Sequence, residues 1–247
     1  MLSVFLTFFM MAAAWAVMSG EDFAKLCEKG TAKEIRAALK KGVNPNAMAE
    51  GTESAAVGTA LMWAAAANEN PEVISILLEA GADLNAKDED GRTALMWAAE
   101  NTPEVVSVLL RAGADINVRD NYGSTVLIRA AQNCENPDVI TVLVEAGADV
   151  NAKNNDGDTA LIRAAQLGTP DGISALLGAG ADVNVKGYEG GTALMSAACD
   201  IEETDSLKLL LKAGADVNAK SDEGKTALDL AQEMDNVEAA KVLKAAR

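Results

Sequence analysis

The chain has 247 residues, 49% apolar and 23% charged, a balance that allows a folded body with a sizeable core and argues against disorder. Its 21 basic and 37 acidic side chains give a formal net charge of −16, which disfavours a nucleic acid partner through long-range repulsion. The sequence holds no histidine, which excludes imidazole catalysis and most metal chemistry, so we expect neither a metal nor a cofactor.

Residues 2–18, LSVFLTFFMMAAAWAVM, form an apolar leader that differs from the rest of the chain. The stretch is short for a membrane-spanning helix, and Ala14 and Ala16 occupy the positions that a signal peptidase reads. We predict that residues 1–16 are a signal peptide and that the protein is exported, to the periplasm or outside the cell. Because the leader has no lysine or arginine, an uncleaved membrane anchor and a cytoplasmic protein with a misassigned start codon stay open as alternatives.

Three cysteines, Cys27, Cys134 and Cys199, are spread through the chain. They cannot all pair, and separations of 107 and 65 residues resemble neither a disulfide framework nor a metal site. We predict free structural thiols. Because no histidine could activate them, an enzyme with a thiol nucleophile is the least favoured class of function.

A repeat organises the remainder of the chain. Aligned copies of Gly-Ala-Asp place their glycines 39, 32, 34, 33 and 34 residues apart, at Gly42, Gly81, Gly113, Gly147, Gly180 and Gly214. A period near 33 predicts a solenoid of stacked units. In one unit, a short helix follows Thr93, and its Leu95, Ala98 and Ala99 share a face at spacings i, i+3 and i+4. The alanines let a neighbouring helix approach closely, which predicts tight stacking.

Each unit continues with a second helix. In four units an asparagine or threonine is the predicted N-cap and a proline the first helical residue: Asn70-Pro71, Thr102-Pro103, Asn136-Pro137 and Thr169-Pro170. In PEVISILLEA (71–80), Glu72 and Glu79 lie on a polar stripe opposite Ile74, so most of the acidic surplus is expected on the outer surface. The glycine of Gly-Ala-Asp then ends the helix in the left-handed conformation, and ADLNAKDEDG (82–91) is expected to form a hairpin-like loop.

These features together resemble the ankyrin repeat, as found in bacterial ankyrin-repeat proteins. The pattern D-x-x-G-x-T-P-L-H-x-A-A through G-A-D-V-N-A is followed over about 21–247. The resemblance implies an all-α fold, an α-solenoid of stacked helix pairs joined by hairpin-like finger loops, as a single domain over 17–247. Its units are a capping repeat 21–56, internal repeats 57–90, 91–122, 123–156, 157–189 and 190–223, and a C-terminal cap 224–247.

The sequence departs from the family pattern in two ways. Alanine, or valine in TVLIRAA (125–131), replaces the proline of T-P-L-H, and the histidine is replaced by Met62, Met96, Ile128, Ile162, Met195 or Asp229. The histidine's loop-bracing hydrogen bonds must therefore be absent, and hydrophobic packing is expected to substitute. Between Gly42 and Gly81 the spacing of 39 exceeds the usual value of about 33, which predicts a longer first finger around 48–57.

One stretch partly matches a nucleotide-binding motif. GAGADV (178–183) has the first two glycines of a dinucleotide fingerprint, but the third is missing and the stretch follows a predicted helix rather than a strand. We interpret it as the repeat's own helix stop.

One position of the first helix changes character from repeat to repeat. Trp97, four residues after Thr93, lies on the row that runs from the finger to the palm, the surface formed by the first helices. The equivalent residues are Trp63, Trp97, Arg129, Arg163, Ser196 and Leu230. Family members usually bind proteins across palm and fingers, so the resemblance implies a binding site here. A semi-buried spacer between adjacent helices is the alternative role for each tryptophan.

Tyr122 and Tyr188 join this set because they lie in predicted finger loops, where a core role is implausible. Tryptophan, tyrosine and arginine dominate binding hot spots. The predicted partner-binding residues are Trp63, Trp97, Tyr122, Arg129, Arg163 and Tyr188. The tryptophans would suit an apolar anchor of the partner, and the arginines its carboxylates.

The sequence thus favours a non-enzymatic protein–protein interaction module that binds a protein or peptide, with no nucleic acid and no small-molecule cofactor. A structural spacer or self-associating solenoid is the alternative, and membrane contact is expected only if the leader is an uncleaved anchor.

Five basic residues recur at the family's N-A-x position and are interpreted as framework: Lys87, Arg119, Lys153, Lys186 and Lys220.

Overall fold

The structure, a computed structural model, describes residues 18–50, 57–132, 137–167, 169–199 and 204–247. Fourteen α-helices and one two-stranded sheet form within these residues, which confirms the predicted all-α solenoid of helix pairs. The predicted leader and Cys134 lie outside the described residues.

The helices form two rows, one from the first helix of each pair and one from the second. The first helices are α1 (Gly20–Lys29), α3 (Ala60–Ala67), α5 (Ala94–Trp97, continued by a 3-10 turn at Ala98–Glu100), α7 (Val126–Gln132), α9 (Ala160–Gln166), α11 (Ala193–Ala198) and α13 (Ala227–Glu233). The second helices are α2 (Ala32–Lys40), α4 (Pro71–Glu79), α6 (Pro103–Arg111), α8 (Pro137–Glu145), α10 (Pro170–Gly178), α12 (Asp205–Lys212) and α14 (Val237–Ala245). Each helix contacts the next helix of its own row.

The two strands belong to the longer first finger. β1 (Met48–Glu50) and β2 (Val57–Thr59) pair antiparallel, with Ala49 opposite Gly58. The predicted extension around 48–57 therefore includes a short hairpin that ends directly at α3. Residues 51–56 lie outside the described part of the chain.

The threonine of the recurring Gly-x-Thr step caps most of the first helices. The side chains of Thr59, Thr159, Thr192 and Thr226 each accept a hydrogen bond from the backbone N–H three residues later. Such a bond satisfies an N–H group that the first helical turn leaves without a partner. In the sequence this threonine is only a recurring feature of the repeat. The structure shows that it recurs because it caps the first helix.

The second helices begin at their prolines as predicted, at Pro71, Pro103, Pro137 and Pro170. Asn70 is an N-cap in the expected sense, because its side chain accepts a hydrogen bond from the Glu72 N–H at 3.0 Å. Asn136 lies outside the described residues.

Two of the predicted N-cap side chains do not act as caps. Thr102 and Thr169 make no side-chain hydrogen bond to the first turn of their helices, so this part of the prediction is wrong. The Thr169 hydroxyl donates instead to the Ala164 carbonyl at 3.3 Å, and the Thr102 N–H donates to the side chain of Asn101 at 2.7 Å. The Thr102 hydroxyl finds no hydrogen-bond partner among the described residues.

The core runs through the whole solenoid. Leu95, Ala98 and Ala99, predicted to share one helical face, are buried, and the buried apolar cluster extends from Phe23 in α1 to Leu243 in α14. The five apolar residues at the family's histidine position are also buried, which confirms that packing replaces the histidine. At the sixth such position Asp229 accepts the Thr226 N–H in a capping box.

Buried asparagines link successive pairs. Asn68 Nδ2 donates to the carbonyls of Cys27 and Gly30 at 2.9 and 3.0 Å. Asn101 Nδ2 donates in the same way to the carbonyls of Ala65 and Asn68, at 2.8 and 3.2 Å. Each side chain thereby satisfies carbonyls near the end of the preceding first helix, where backbone acceptors would otherwise be orphaned.

The fingers are joined by a row of cations. Four side chains donate to the carbonyl of the equivalent residue in the next repeat, at 3.5, 2.6, 3.1 and 2.7 Å: Lys87, Arg119, Lys153 and Lys186. This confirms their interpretation as framework. Because these side chains donate to backbone carbonyls and not to carboxylates, they link neighbouring fingers without neutralising acidic side chains.

Glycine is required where the second helices α2, α4, α6, α8, α10 and α12 end. The six glycines aligned from the sequence have φ between 87° and 94°, as predicted for a left-handed helix stop. A Cβ atom at any of them would meet no atom within 4 Å. The backbone conformation, and not a lack of space, therefore demands glycine.

We predict opposite effects for alanine at two glycines that lie two residues apart. Gly178 is the last residue of α10, and a Cβ atom there would also meet nothing within 4 Å, so Gly178→Ala should stabilise the protein by about 0.5–1 kcal/mol. Gly180 has φ of 88°, so Gly180→Ala should destabilise it by about 1 kcal/mol or more. Urea unfolding of both variants tests this pair, and equal shifts in the same direction would contradict it.

Candidate partner-binding surface

The palm column holds one residue of each first helix from α3 onward: Trp63, Trp97, Arg129, Arg163, Ser196 and Leu230. Neighbouring first helices touch, so these residues follow one another along the solenoid. All except Trp63 are partly exposed. Each one is positioned by the threonine that begins its helix and by the finger loop that precedes that threonine.

Trp63 is sealed under the first finger. Its side chain is only 6% exposed, packs with Ala24 and Ala49, and donates from Nε1 to the Ala49 carbonyl at 3.0 Å. A Cβ atom on Gly58 would lie 3.3 Å from that Nε1 atom, so the hairpin backbone lies directly against the ring. The prediction that Trp63 anchors a partner is therefore corrected, because the longer finger folds back and covers it.

Trp97 packs against Trp63 and is the more exposed of the two tryptophans. The two tryptophan rings meet edge to face, with centroids 4.7 Å apart and an interplanar angle of 81°. Trp97 Nε1 donates to Asp88 Oδ2 at 2.9 Å, and the Arg92 guanidinium lies 5.1 Å from the Trp97 ring centroid. The ring is half-buried and fixed on two sides, so Trp97 offers a rigid, partly accessible apolar surface.

Arg129 is held by a carboxylate of the finger loop that precedes its helix. Its Nε and Nη2 atoms lie 2.9 and 2.6 Å from Asp120 Oδ2, and the Asp120 side chain is fully buried. The other carboxylate oxygen accepts the N–H groups of Tyr122 and Ser124, which shapes the finger. The guanidinium is therefore not free to take up a partner's carboxylate as the sequence suggested, because leaving Asp120 would strand a buried charge.

Arg163 has a similar but looser arrangement. Asn154 occupies the position equivalent to Asp120, and Arg163 Nη2 instead lies 3.1 Å from Asp158 and 3.5 Å from Asp156. Arg163 Nη1 donates to Gln166 at 3.1 Å, and its Nε finds no partner among the described residues. Arg163 is thus also neutralised within its repeat, although less completely than Arg129.

The two finger tyrosines are the most accessible of the predicted site residues. Tyr122 is 56% and Tyr188 61% exposed. The Arg129 guanidinium lies 5.9 Å from the Tyr122 ring centroid, which ties this tyrosine to the palm column. A hydrogen bond to Glu189 raises the pKa of Tyr188, so its hydroxyl remains a donor at neutral pH.

The structure joins the predicted residues in three local groups instead of one continuous patch. Trp63 and Trp97 form the first, and Tyr122 and Arg129 the second. The third contains Arg163 and Tyr188, because Asp158 pairs with the Arg163 guanidinium and also accepts the Tyr188 N–H at 2.9 Å.

Buried aspartates were missed by sequence reasoning. Asp88 and Asp120 each precede the column residue they bind by nine positions, a spacing that the aligned repeats already contain. Asp158 has no such signal, because it precedes Arg163 by five positions. All three carboxylates are almost fully covered, so they organise the fingers rather than face a partner.

Two surface depressions accompany these residues. One of about 200 Å³ lies between two fingers and the palm, and Tyr188, Ser196, Cys199 and Leu230 are among its lining residues. The other, of about 710 Å³, is an open trough along the second helices, and Pro103, Ser107 and Leu110 are among its lining residues. Only the smaller depression involves the palm column.

The described residues contain no cluster of side chains that could hold a metal ion. Within the same part of the chain, no helix combines the length and apolar character needed to cross a membrane. Cys27 and Cys199 are free, as predicted. Burial raises the pKa of the Cys27 thiol to about 12 and also raises that of Cys199, which donates to the Met195 carbonyl at 3.5 Å. Neither thiol has the activated character of a nucleophile.

We predict that the Asp120–Arg129 pair is strongly coupled, because one of its charges is buried. In a double-mutant cycle with Asp120→Asn and Arg129→Gln, urea unfolding should give a coupling free energy of about 2 kcal/mol. The Arg36–Glu72 pair is the control, since its atoms are equally close at 2.7 Å but both side chains are about half exposed. Its cycle should give less than about 1 kcal/mol. Equal coupling in the two cycles would contradict the assignment.

We also predict that the described thiols react slowly in the folded protein. At pH 8 a thiol with a pKa of about 12 is ionised in roughly one molecule in ten thousand, so Cys27 should resist Ellman's reagent until the protein unfolds. Cys199 should react slowly, because it is half-buried. A Cys134→Ser variant limits the count to these two, and 6 M guanidinium provides the reference in which both react. Rapid modification of Cys27 under native conditions would reopen the possibility of thiol chemistry.

The repeat geometry agrees with the comparison against known families. The family profile described as "Ankyrin repeats (3 copies)" matches residues 26–120, 61–154, 102–187 and 180–246, which together span nearly all of the described chain. A search of curated proteins finds no match. Because the profile covers far more than half of the chain and the helix pairs, finger loops and glycine stops follow its pattern, the protein belongs to the ankyrin-repeat family.

Proposed function

We propose that the protein is a non-enzymatic module that binds a protein or peptide partner through its palm and finger loops. Ankyrin repeats generally act as protein–protein interaction modules. The observation that carries the proposal for this chain is the exposure of Tyr122 and Tyr188 on the fingers. Of the seven large apolar side chains that are exposed in the described residues, these two alone are aromatic.

Exposing two aromatic rings to water is unfavourable for the folded protein, which argues that they serve binding and not stability. A tyrosine ring can contribute a large apolar contact area to an interface, and tyrosine is enriched at binding hot spots. Neither ring supports the core, whereas their backbones are fixed by Asp120 and Asp158. Two exposed aromatic rings on rigid loops meet the usual requirements of a preorganised binding surface.

Trp97 and the paired arginines complete the surface in a secondary role. Trp97 presents part of a fixed ring, and Arg129 lies near Tyr122 with its charge already matched by Asp120. Such arginines can stack on a partner while remaining ion-paired, so they contribute planar area more than net charge. Trp63 has no place in this surface, because the first finger covers it.

The proposal predicts that partner binding depends on the finger tyrosines. The protein is immobilised, a partner is captured from the source cells and identified, and its Kd is then measured for wild type and for the Tyr122→Ala/Tyr188→Ala variant. Loss of about 2 kcal/mol of interface energy should weaken binding about 30-fold. Unchanged affinity in the folded double variant would move the site elsewhere.

A matched control is available at the opposite end of the first helices. Leu167 and Met234 cap the C-termini of α9 and α13 and are 54% and 55% exposed, almost as much as the tyrosines. The Leu167→Ala/Met234→Ala variant should keep the wild-type Kd. Light scattering over a range of concentrations accompanies the measurement, because a dimer that requires the tyrosines and dissociates on dilution would identify a second copy of the chain as the occupant.

A further inference from the structure

The small depression in the palm has the size of a single side chain. Its volume is about 200 Å³, below the roughly 300 Å³ at which cavities usually accept drug-sized ligands. A cavity of about 150 Å³ is already large enough for benzene. The depression lies between the finger that carries Tyr188 and the finger that carries Lys225, with the first helices α11 and α13 as its floor.

The depression exists because the palm column becomes small at this point. Ser196 occupies the position at which the preceding repeats carry tryptophan or arginine, so no large side chain fills the space between the fingers. The surrounding surface is mainly apolar, since Tyr188, Met195 and Leu230 contribute to the lining. The absence of a bulky column residue thus leaves an open, partly apolar niche beside an exposed tyrosine.

The charges around the depression are predominantly negative. Lys225 Nζ lies 3.1 Å from Glu223 and 2.9 Å from Glu233, so two carboxylates share its single charge. Glu189 adds a third carboxylate, close enough to Tyr188 to raise the pKa of its hydroxyl. Of these groups Glu189, Glu223 and Lys225 line the depression, so its lining carries one negative charge.

The arginines of the palm do not offset this charge, and Lys186 and Lys220, on the two fingers that border the depression, are not among the residues that line it. Arg92, Arg129 and Arg163 are each ion-paired with a nearby aspartate. The palm therefore presents matched arginines toward its centre and an excess carboxylate at the depression. A partner approaching the depression experiences a negative field, which the net charge of −16 strengthens.

We propose that this depression binds one apolar side chain of a partner segment whose adjacent residues are lysine or arginine. The inference rests on the palm-binding function proposed above and adds the chemistry of the partner. The apolar side chain of the partner fills the depression above Ser196, and the partner's flanking lysine or arginine side chains face Glu189 and Glu223. This partner is opposite in charge to the carboxylate-bearing one that the arginine column suggested from sequence.

The test is an NMR titration of the full chain with three synthetic pentapeptides, all acetylated and amidated. The first is Gly-Lys-Leu-Lys-Gly, the second replaces both lysines by glutamate, and the third replaces leucine by glycine. The first should shift the amide resonances of Gly191, Ser196, Cys199 and Lys225 and bind at least 10-fold more tightly than the other two. Raising the salt from 50 to 300 mM should weaken it at least 3-fold, because exposed charges are screened.

Two variants separate the apolar and the charged contributions. Ser196→Leu fills the niche with the residue that the chain itself carries at Leu230 and should weaken binding at least 10-fold. Glu189→Gln/Glu223→Gln should reduce the salt dependence and weaken binding at least 3-fold. Ser107→Leu is the control, because Ser107 lines the trough on the second helices, and it should leave the peptide affinity unchanged.

The outcomes distinguish this inference from the proposed function. Shifts confined to the region of Tyr122 and Arg129 would overturn the inference and leave palm binding intact. Equal affinity for the lysine and glutamate peptides would overturn the charge assignment, and insensitivity to Ser196→Leu would overturn the niche. If none of the peptides binds while a natural partner still requires the tyrosines, the inference fails and the proposed function stands.

Discussion

Neighbouring helix pairs bury their apolar faces against one another, and the rest of the structure depends on this mutual burial. The alanines at the ends of the first helices permit the close approach, and Leu95 and its equivalents fill the space between neighbours. A single pair would leave one of its faces in water, so stability arises from the interfaces as much as from the units. The buried asparagines reinforce the same interfaces through carbonyl groups of the preceding pair.

The palm is built on this stack by a second set of contacts, which join each finger loop to the first helix that follows it. Buried aspartates tie finger loops to first helices, either through an arginine, as at Asp120, or through a tryptophan, as at Asp88. These contacts make the fingers rigid but also neutralise the cations that they hold. The proposed binding surface is therefore aromatic at the fingertips and has an excess carboxylate at the depression beside Ser196, although arginines are conspicuous in the sequence.

The sequence predicted those features that arise from local conformation and strict repetition. The left-handed glycines and the helix-starting prolines follow from backbone preferences, and the exposure of Tyr122 follows from its place in a finger. The burial of Trp63 could not be predicted, because it depends on whether a hairpin folds back to meet a side chain fourteen residues away. Whether Arg129 pairs with Asp120 or with a carboxylate of a partner likewise depends on distances that exist only in the folded chain.

The edge-to-face contact of Trp63 and Trp97 determines which part of the solenoid their fluorescence reports. Both indoles of the described chain belong to one cluster beneath the first finger, in the early repeats of the array. Because a stacked array need not open all at once, the emission of these two tryptophans reports the melting of that end alone. Loss of order among the later helices would pass unseen by this emission and would need a probe, such as circular dichroism, that samples the whole backbone.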